Sequence, residues 1–203
     1  AKQMPALKPP VMIVDSSWQR LAAARREGLP YYHGEFLNEA TEHNLDLNPY
    51  QVLVAATDNE AYNALVCNEF AHEIGRDSVY QLGEAVEDDR RALPGSLRGR
   101  ALFESGFGVA EVDQRQKEGW VFRRTKLTEE FTIDDAREKL GENAQMLLLL
   151  RENGAMRFFT HAAKPEPRPG DIVITYSPQQ LKRAEAETAR REAEANAGKA
   201  KPA

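Results

Sequence analysis

The sequence contains a single cysteine, Cys67, and this scarcity excludes several classes of protein. One thiol cannot form a disulfide within the chain, so the sequence is not that of a small secreted scaffold held together by disulfides. A reducing compartment fits this composition. Because Cys67 lies inside a helical pattern, we interpret it as a small buried hydrophobic residue rather than a reactive thiol.

Long hydrophobic runs are also missing. Apolar stretches such as Met146–Leu150 are far shorter than the roughly 20 residues that a membrane-spanning helix needs. The first ten residues, Ala1–Pro10, have no apolar core of the kind found in a secretory signal peptide. Because the first residue is alanine rather than methionine, we expect a processed chain or a piece of a longer one.

The sequence has no excess of positive charge, since its formal net charge is −5. This balance argues against a general nucleic-acid-binding protein, which would need a basic surface to meet the phosphates. The 203 residues, 41% of them hydrophobic, leave room for one large domain or two small ones, each with a core.

Patterns typical of catalytic and metal sites are absent as well. His72-Glu73 lacks a second histidine four residues after the first, so it is not a zinc-protease motif. The stretch Gly95–Gly99 has its serine one position too early for a nucleophile elbow. The histidines are scattered and pair with no cysteine: His33, His43, His72 and His161. We therefore predict no catalytic residue, no metal site and no enzymatic activity.

The stretch from Val11 to Glu35 has the pattern of a strand, a helix and a second strand. Val11–Asp15 is too short and too β-branched for a helix, and it suits a strand buried on both faces. Ser16 is placed to cap the next helix, with Gln19 closing a capping box, and Gly28 to end that helix. Leu29–Tyr32 then reads as the second strand of a βαβ unit.

The alternation continues through the first half of the sequence. Val52–Ala56 is a second strand that we predict to be buried on both faces. Thr57 and Glu60 form a capping box for a long helix that Gly75 ends, and Ser78–Leu82 is a short strand. Strands that alternate with helices predict a doubly wound parallel sheet, an α/β fold of Rossmann-like type.

The second half has a different composition. We predict a linker or docking arm over residues 83–108, with Ala101–Phe103 as a short helix or hinge. A small α+β domain follows over residues 109–177, and it contains a helix capped by Thr132. Ser177 and Pro178 are placed to start a charged tail over residues 178–203, which we predict to be helical or disordered.

Two groups of polar residues are candidates for ligand contacts. Asp15 ends a strand, where a carboxylate of a dinucleotide fold accepts hydrogen bonds from ribose hydroxyls. It would serve equally well by assisting the helix start beside Ser16. Thr57, Asp58 and Asn59 follow a buried strand at the carboxyl edge of the sheet, where ligands of open α/β sheets bind, although a simple helix cap explains them as well.

Two segments of the sequence resemble a known family. They are VMIVDSSWQRLAAARREGLPYYHGEF, Val11–Phe36, and VLVAATDNEAYNALVCNEFAHEIG, Val52–Gly75. Both are similar to the nucleotide-binding domain that regulates potassium channels and transporters, the RCK or TrkA-N type. The resemblance is greatest to the version at the C-terminus of bacterial sodium/proton or potassium/proton antiporters. It covers about residues 11–82, and Pro169–Ile174 resembles the later part of such chains less clearly.

The resemblance implies a site for NAD(H) or an adenine nucleotide in the full-length protein. The residues that it implies for this site are Asp15, Ser16, Gly34, Thr57, Asp58 and Asn59. The family's domain opens with a strand and a Gly-x-Gly-x-x-Gly turn, whereas Ala1–Pro10 contains no glycine. Many relatives also have an arginine near the position of Gln81. Because the pyrophosphate would bind the amides of the missing turn, we expect this chain alone to bind NAD or adenine nucleotides weakly or not at all.

The function implied by the resemblance is that of a regulatory, ligand-sensing domain of a monovalent cation/proton antiporter for sodium or potassium. Its partner would be a membrane-embedded antiporter portion of the same or a longer polypeptide. The chain itself would be soluble, on the cytoplasmic side of the inner membrane and without nucleic acid. We expect a homodimer, with Phe103, Phe107 and Val109 as hinge or dimer contacts, or as packing within one subunit. The alternatives are a fragment of an NAD-dependent oxidoreductase and a ligand-free oligomerisation module.

The missing first strand is the central one in a Rossmann-like sheet, and it leaves three outcomes open. Val11–Val14 and Val52–Ala56 pair with each other, or a segment such as Ala6–Lys8 or a partner chain fills the gap. In the third outcome, the one we favour, the chain folds fully only with an upstream part.

Overall fold

The computed structural model describes residues 10–83, 97–103, 107–141 and 143–179, without the side chains of residues 40, 42 and 43. The chain divides into two compact units. Unit 1 extends to Val109 and includes Thr160–Ala163, and unit 2 contains the remainder.

Unit 1 has the alternating strands and helices of an α/β fold. Its elements are β1 (Ile13–Asp15), α1 (Trp18–Arg26), β2 (Tyr31–His33), α2 (Glu39–Asn44), β3 (Leu53–Ala55), α3 (Glu60–Ile74), β4 (Val79–Leu82) and β5 (Arg100–Leu102). Strand β1 pairs in parallel with β2, and β3, β4 and β5 form a second parallel sheet in that order. This arrangement confirms the predicted α/β class.

Strands β1 and β3 are not hydrogen-bonded to each other, and no ladder joins the two sheets within the described part of unit 1. The central strand of a Rossmann-like sheet would lie at this position. The first of the three outcomes, pairing of β1 with β3 across the gap, is therefore not observed. Ala6–Lys8, named in the second outcome as a segment that could fill the gap, lies outside the described residues. The need for an upstream part stays a prediction.

The strands beside this gap are less buried than their sequences predict. Ile13 in β1 is 37% exposed and Val54 in β3 is 42% exposed, so the prediction of burial on both faces is wrong. Leu53 and Ala55, which alternate with Val54, are buried in the core with α3. One face of β3 is thus covered by α3, while the other face is open at Val54.

Helices α1 and α3 begin later than the sequence predicts. The N-cap of α1 is Ser17 rather than Ser16, because the Asp15 carboxylate accepts the Ser17 N–H at 2.7 Å and holds the chain extended for one more residue. The N-cap of α3 is Asn59 rather than Thr57. Here the Thr57 hydroxyl oxygen accepts the Asn59 N–H at 3.2 Å and delays the helix. Both predicted capping boxes are therefore wrong in position.

Glycines end both helices as predicted. Gly28 has a φ of +67°, a left-handed conformation that other residues adopt at a cost. The Leu29 N–H donates to the Ala24 carbonyl at 2.9 Å, which satisfies the end of α1 in the manner of a Schellman motif. Gly75 ends α3 and also has a positive φ, of +98°.

The core of unit 1 forms between α3 and the sheet of β3 and β4. Its buried residues are Leu53, Ala55, Val66, Cys67, Phe70, Ala71 and Val79. Leu65 lies outside the buried face of α3 and is 58% exposed. A stripe three to four residues apart through Asn63, Val66, Cys67 and Phe70 faces the sheet instead.

Strand β5 lies within the range 83–108 that the sequence predicts as a linker. Residues 84–96 and 104–106 of that range lie outside the described residues, but Arg100–Leu102 pairs in parallel with β4. The short helix predicted at Ala101–Phe103 is therefore wrong. Gly99 precedes β5, and its N–H donates to the buried Gln81 side-chain oxygen at 2.9 Å.

Phe107, an expected hinge or dimer contact, is 2% exposed within this single subunit. Its ring lies 5.2 Å from that of Phe103, centroid to centroid. The alternative of packing inside one subunit is thus observed for Phe107, because a buried ring cannot also meet a partner without moving. Val109 is half-buried.

The described part of unit 2 contains an antiparallel sheet and two helices. Its elements are α4 (Val109–Lys117), β6 (Trp120–Lys126), α5 (Ile133–Leu140), β7 (Gln145–Leu150), β8 (Met156–Phe158) and β9 (Ile172–Pro178). The strand order is β6-β9-β7-β8. The core residues are Leu127, Ile133, Met146, Leu149, Phe159 and Val173. This arrangement confirms the small α+β unit, and Thr132 caps α5 in a capping box with Asp135, as predicted.

Two features of unit 2 differ from the prediction. Helix α4 was not predicted, because none of its residues is fully buried and it has no apolar stripe to detect. Ser177 and Pro178 do not start a helix but extend β9, where Ser177 pairs with Val121. The Arg123 guanidinium donates to the Ser177 hydroxyl at 2.9 Å. The side chain that was predicted to cap a helix therefore forms a cross-strand hydrogen bond instead. The rest of the predicted tail, residues 180–203, lies outside the described residues.

The close approach of Gly99 to Cys67 gives a test of the unit 1 core. A Cβ at Gly99 would lie 2.5 Å from the Cys67 sulfur and 3.0 Å from the Tyr80 carbonyl carbon. We expect Gly99→Ala to lower the free energy of unfolding by about 1–3 kcal/mol, the usual cost of overpacking. Urea denaturation of the purified chain measures this change.

Gly108→Ala is the matched control, because a Cβ there meets nothing within 4 Å. Cys67→Ala in the Gly99→Ala background should recover part of the lost stability, since it removes the sulfur. Equal stability of the two single alanine variants would contradict the predicted clash.

Candidate functional site

The first group of predicted site residues lies where β1 and β2 end. The Gly34 N–H donates to the Asp15 carbonyl at 3.1 Å, so the structure brings these two residues side by side. Ser16 follows Asp15 and is exposed. One Asp15 carboxylate oxygen accepts the Ser17 N–H, and the other lies 3.7 Å from the Arg20 guanidinium. The helix-start role of Asp15 is therefore observed, and its side chain is still 22% exposed.

Gly34 has a packing reason to be glycine. A Cβ at this position would lie 2.9 Å from the Tyr32 ring and 3.4 Å from the Thr41 hydroxyl. The Thr41 hydroxyl is itself held in place, since it donates to the Glu35 carbonyl at 2.7 Å. A larger residue would have to move the Tyr32 ring, and the turn after β2 would shift with it.

The second group, Thr57, Asp58 and Asn59, lies where β3 ends and α3 begins. Thr57 is half-buried, whereas Asp58 and Asn59 are exposed. The Asn59 side chain accepts the Tyr62 N–H at 3.0 Å and caps α3. The Thr57 N–H donates to the Asn63 side-chain oxygen at 3.0 Å. The loop is thus fixed by hydrogen bonds from both ends, with its middle residue open to solvent.

Tyr62, which the sequence analysis missed, connects the two groups. Its hydroxyl accepts the Phe36 N–H at 3.2 Å and donates to the Glu35 carboxylate at 3.1 Å. Its own N–H donates to Asn59. Burial, and then the Glu35 carboxylate, raise the pKa of Tyr62, while backbone hydrogen bonds oppose this. The loop after β2 is therefore tied to the start of α3, although β1 and β3 do not pair.

Gln81 does not take the place of a phosphate-binding arginine. Its side chain is 7% exposed, and its oxygen accepts the Gly99 N–H. This bond fixes the entry to β5. The side chain therefore supports the sheet and is closed to a ligand in this conformation.

Metal and membrane features do not add to this site. Within the described residues, no three histidine, cysteine, aspartate or glutamate side chains are grouped as metal ligands would be. None of the described helices is long and apolar enough to cross a membrane.

Burial raises the pKa of the Cys67 thiol to about 11, which makes its reactive thiolate scarce at neutral pH.

Comparison with protein families decides the class of unit 1. The TrkA-N domain family matches residues 1–82. This part of the chain is therefore similar to a TrkA-N domain. The TrkA-N match contains both groups of candidate site residues, and it confirms the resemblance that the motifs around Asp15 and Thr57 indicate. No curated protein matches the chain.

Two solved structures show a weak likeness to the whole chain. The crystal structure of the GsuK RCK domain is 11% identical, with a TM-score of 0.28 over 89% of this chain and 47% of that one. The GsuK channel bound to NAD is 11% identical, with a TM-score of 0.30 over 87% of this chain and 38% of that one. The chain therefore spans less than half the length of either structure. Scores this low support no structural argument, so the assignment depends on the family match.

The role of Tyr62 as a connection gives a test of the site's geometry. We expect Tyr62→Phe to lower the free energy of unfolding by about 0.5–1.5 kcal/mol, since two hydrogen bonds of the hydroxyl are lost while the ring stays. Tyr31→Phe is the matched control. Tyr31 is 41% exposed, and its ring contact with Trp18 is one that phenylalanine keeps. Chemical denaturation of the three proteins measures the difference.

The stability of the wild type and that of Tyr62→Phe should also differ in their dependence on alkaline pH. Because the folded state raises the pKa of Tyr62, its contribution to stability is present below the unfolded tyrosine pKa of about 10 and is lost as pH rises through the folded value. Stability of the wild type should therefore fall more steeply above pH ~10 than that of Tyr62→Phe. Identical alkaline profiles would contradict this account.

Proposed function

We propose that unit 1 is the nucleotide-responsive part of a regulatory domain in a monovalent cation transport protein. The observation that carries the proposal is the position of Asp15. Asp15 lies within the segment that matches the TrkA-N family. It ends β1 beside Gly34, and its carboxylate is partly exposed. A carboxylate at the end of such a strand is suited to accept ribose hydroxyls.

The residues of both loops fit a nucleotide only in part. Asp15 supplies acceptors for the ribose, and Asp58 and Asn59 present polar side chains after β3. The Arg20 guanidinium is close enough to Asp15 to compete for one oxygen. A pyrophosphate would need backbone amides from a glycine-rich turn, and Ala1–Pro10 contains no glycine. The ligand that we propose is NAD(H) or an adenine nucleotide, bound by the full-length protein.

The transport protein that we propose is a cation/proton antiporter for sodium or potassium. Its membrane-embedded portion would belong to the same or a longer polypeptide, and unit 1 would lie on the cytoplasmic side of the inner membrane. A homodimer is part of the proposal. With Phe107 buried, its contacts would involve other residues, such as Phe103 or Val109.

Two other functions remain alternatives. An NAD-dependent oxidoreductase would need an acid or base placed beside the nicotinamide. The acids of the two loops are Asp15, Glu35 and Asp58, and of these Asp15 is bonded to the start of α1 and Glu35 to the Tyr62 hydroxyl. A ligand-free oligomerisation module would need no nucleotide at all. The upstream coding sequence separates these cases. Apolar spans of about 20 residues followed by a glycine-rich turn would support the antiporter, and their absence would contradict it.

Nucleotide binding gives the direct test. We expect titration calorimetry of this chain with NAD, NADH and ATP to show weak binding or none, because the phosphate-binding turn is missing. In the full-length protein, we expect binding that Asp15→Ala weakens by about 1–3 kcal/mol, the cost of losing hydrogen bonds to a charged group.

Two further variants separate ribose binding from the helix start. Asp15→Asn keeps an acceptor for the Ser17 N–H but removes the charge, so it should weaken nucleotide binding with less loss of stability. Glu27→Ala removes an exposed acid at the other end of α1 and should leave binding unchanged. Micromolar binding by this chain alone would contradict the predicted need for the turn.

A further inference from the structure

Asn63 is a fully buried amide in the first half of α3, with 0% of its surface exposed. A buried amide is costly unless its polar atoms find partners. Its oxygen accepts both the Thr57 N–H at 3.0 Å and the Thr57 hydroxyl at 2.7 Å. Its nitrogen donates to the Thr57 carbonyl at 3.0 Å and to the Leu82 carbonyl at 3.3 Å. All the hydrogen bonds of this amide are thus made with two residues, Thr57 after β3 and Leu82 at the end of β4.

These bonds replace the backbone pairing that stops just before them. The ladder between β3 and β4 ends with Ala55 paired to Gln81. Beyond this pair, the backbones of Thr57, two residues after Ala55, and of Leu82, one residue after Gln81, are joined through the Asn63 side chain instead. A side-chain amide offers the same groups as a peptide bond, so it can complete the edge of the sheet while the chain turns into α3.

The same bonds fix what Thr57 can offer a ligand. Its hydroxyl lies 2.7 Å from the Asn63 side-chain oxygen and 3.2 Å from the Asn59 carbonyl, both of which are acceptors, and its oxygen accepts the Asn59 N–H. Thr57 therefore has no hydroxyl hydrogen left to donate in this conformation. Contacts from this loop to a ligand would come from Asp58, Asn59 and the exposed backbone.

We propose that Asn63 is a positioning residue that holds the Thr57–Asn59 loop in the conformation used for ligand binding. The effect on ligand affinity rests on the proposed nucleotide-binding function. The effect on the loop itself does not. Asn63 would act through Thr57 and would not touch the ligand.

The substitution Asn63→Asp tests this role. It keeps the shape and the oxygen that Thr57 uses, but it replaces the donating nitrogen with an oxygen facing the carbonyls of Thr57 and Leu82. We expect amide hydrogen exchange over residues 56–62 of the full-length protein to accelerate by roughly tenfold or more, since lost hydrogen bonds of about 1.4 kcal/mol correspond to that factor. NAD and ATP affinity should fall by a similar factor.

Two controls separate positioning from general destabilisation. Asn68→Asp makes the same chemical change on α3 at a half-buried position outside the Thr57 contacts. Val66→Ala weakens the core, where Val66 is 5% exposed, without touching the loop. Both should leave loop exchange and nucleotide affinity close to the wild-type values, although Val66→Ala lowers stability.

The two parts of the proposal fail separately. Unchanged exchange over residues 56–62 in Asn63→Asp, or an equal acceleration in Val66→Ala, would overturn the positioning role. Faster loop exchange with unchanged nucleotide affinity would overturn the link from the loop to the ligand. If the wild-type full-length protein bound none of the nucleotides, the proposed function would fail, and the loop exchange would still decide the role of Asn63.

Discussion

The hydrogen bonds of one buried amide, that of Asn63, set the geometry on which the candidate site depends. Its contacts with Thr57 and Leu82 close the ends of β3 and β4. Because Thr57 is held, Asn59 falls at the start of α3 and caps it. The cap in turn fixes the first turn of the helix, which carries Tyr62. The buried amide, the loop and the helix start therefore behave as one unit.

Within the described residues, side-chain contacts rather than a β-ladder connect the two sheets of unit 1. Tyr62 bonds the loop after β2, and the ring of Phe36 lies 4.5 Å from that of Phe70 in α3, edge to face. These contacts place Gly34 and Asp15 on one side and the Thr57 loop on the other. They do not cover Ile13 and Val54, which are exposed at the position where we expect the central strand of a Rossmann-like sheet.

The sequence predicted those parts of the molecule whose signals are local. Hydrophobic runs predicted β3 and β4, and Gly28 and Gly75 predicted the helix ends. The family motifs predicted the resemblance to TrkA-N domains. The capping positions were displaced, because Asp15 and Thr57 compete for the backbone groups that a simple cap would use.

The remaining misses depend on contacts between distant parts of the chain. Asn63 and Tyr62 looked like ordinary helix residues, since their partners lie at Leu82 and Glu35. Strand β5 follows a charged and Pro-Gly-rich stretch, and its pairing with β4 gave no periodic signal in three residues. Ser177 had the pattern of a cap, but pairing with Val121 outweighed this local preference.

We propose that a nucleotide bound at the ends of these strands regulates cation transport. Cation-dependent proton exchange by the full-length protein in everted membrane vesicles, with and without NAD(H), tests it most directly. We expect the exchange rate with sodium or potassium to respond to the nucleotide, Asp15→Asn to shift that response to higher nucleotide concentrations, and the exposed-loop control Asp46→Asn to leave it unchanged. Exchange that ignores every nucleotide, or an unshifted response in Asp15→Asn, would contradict the account.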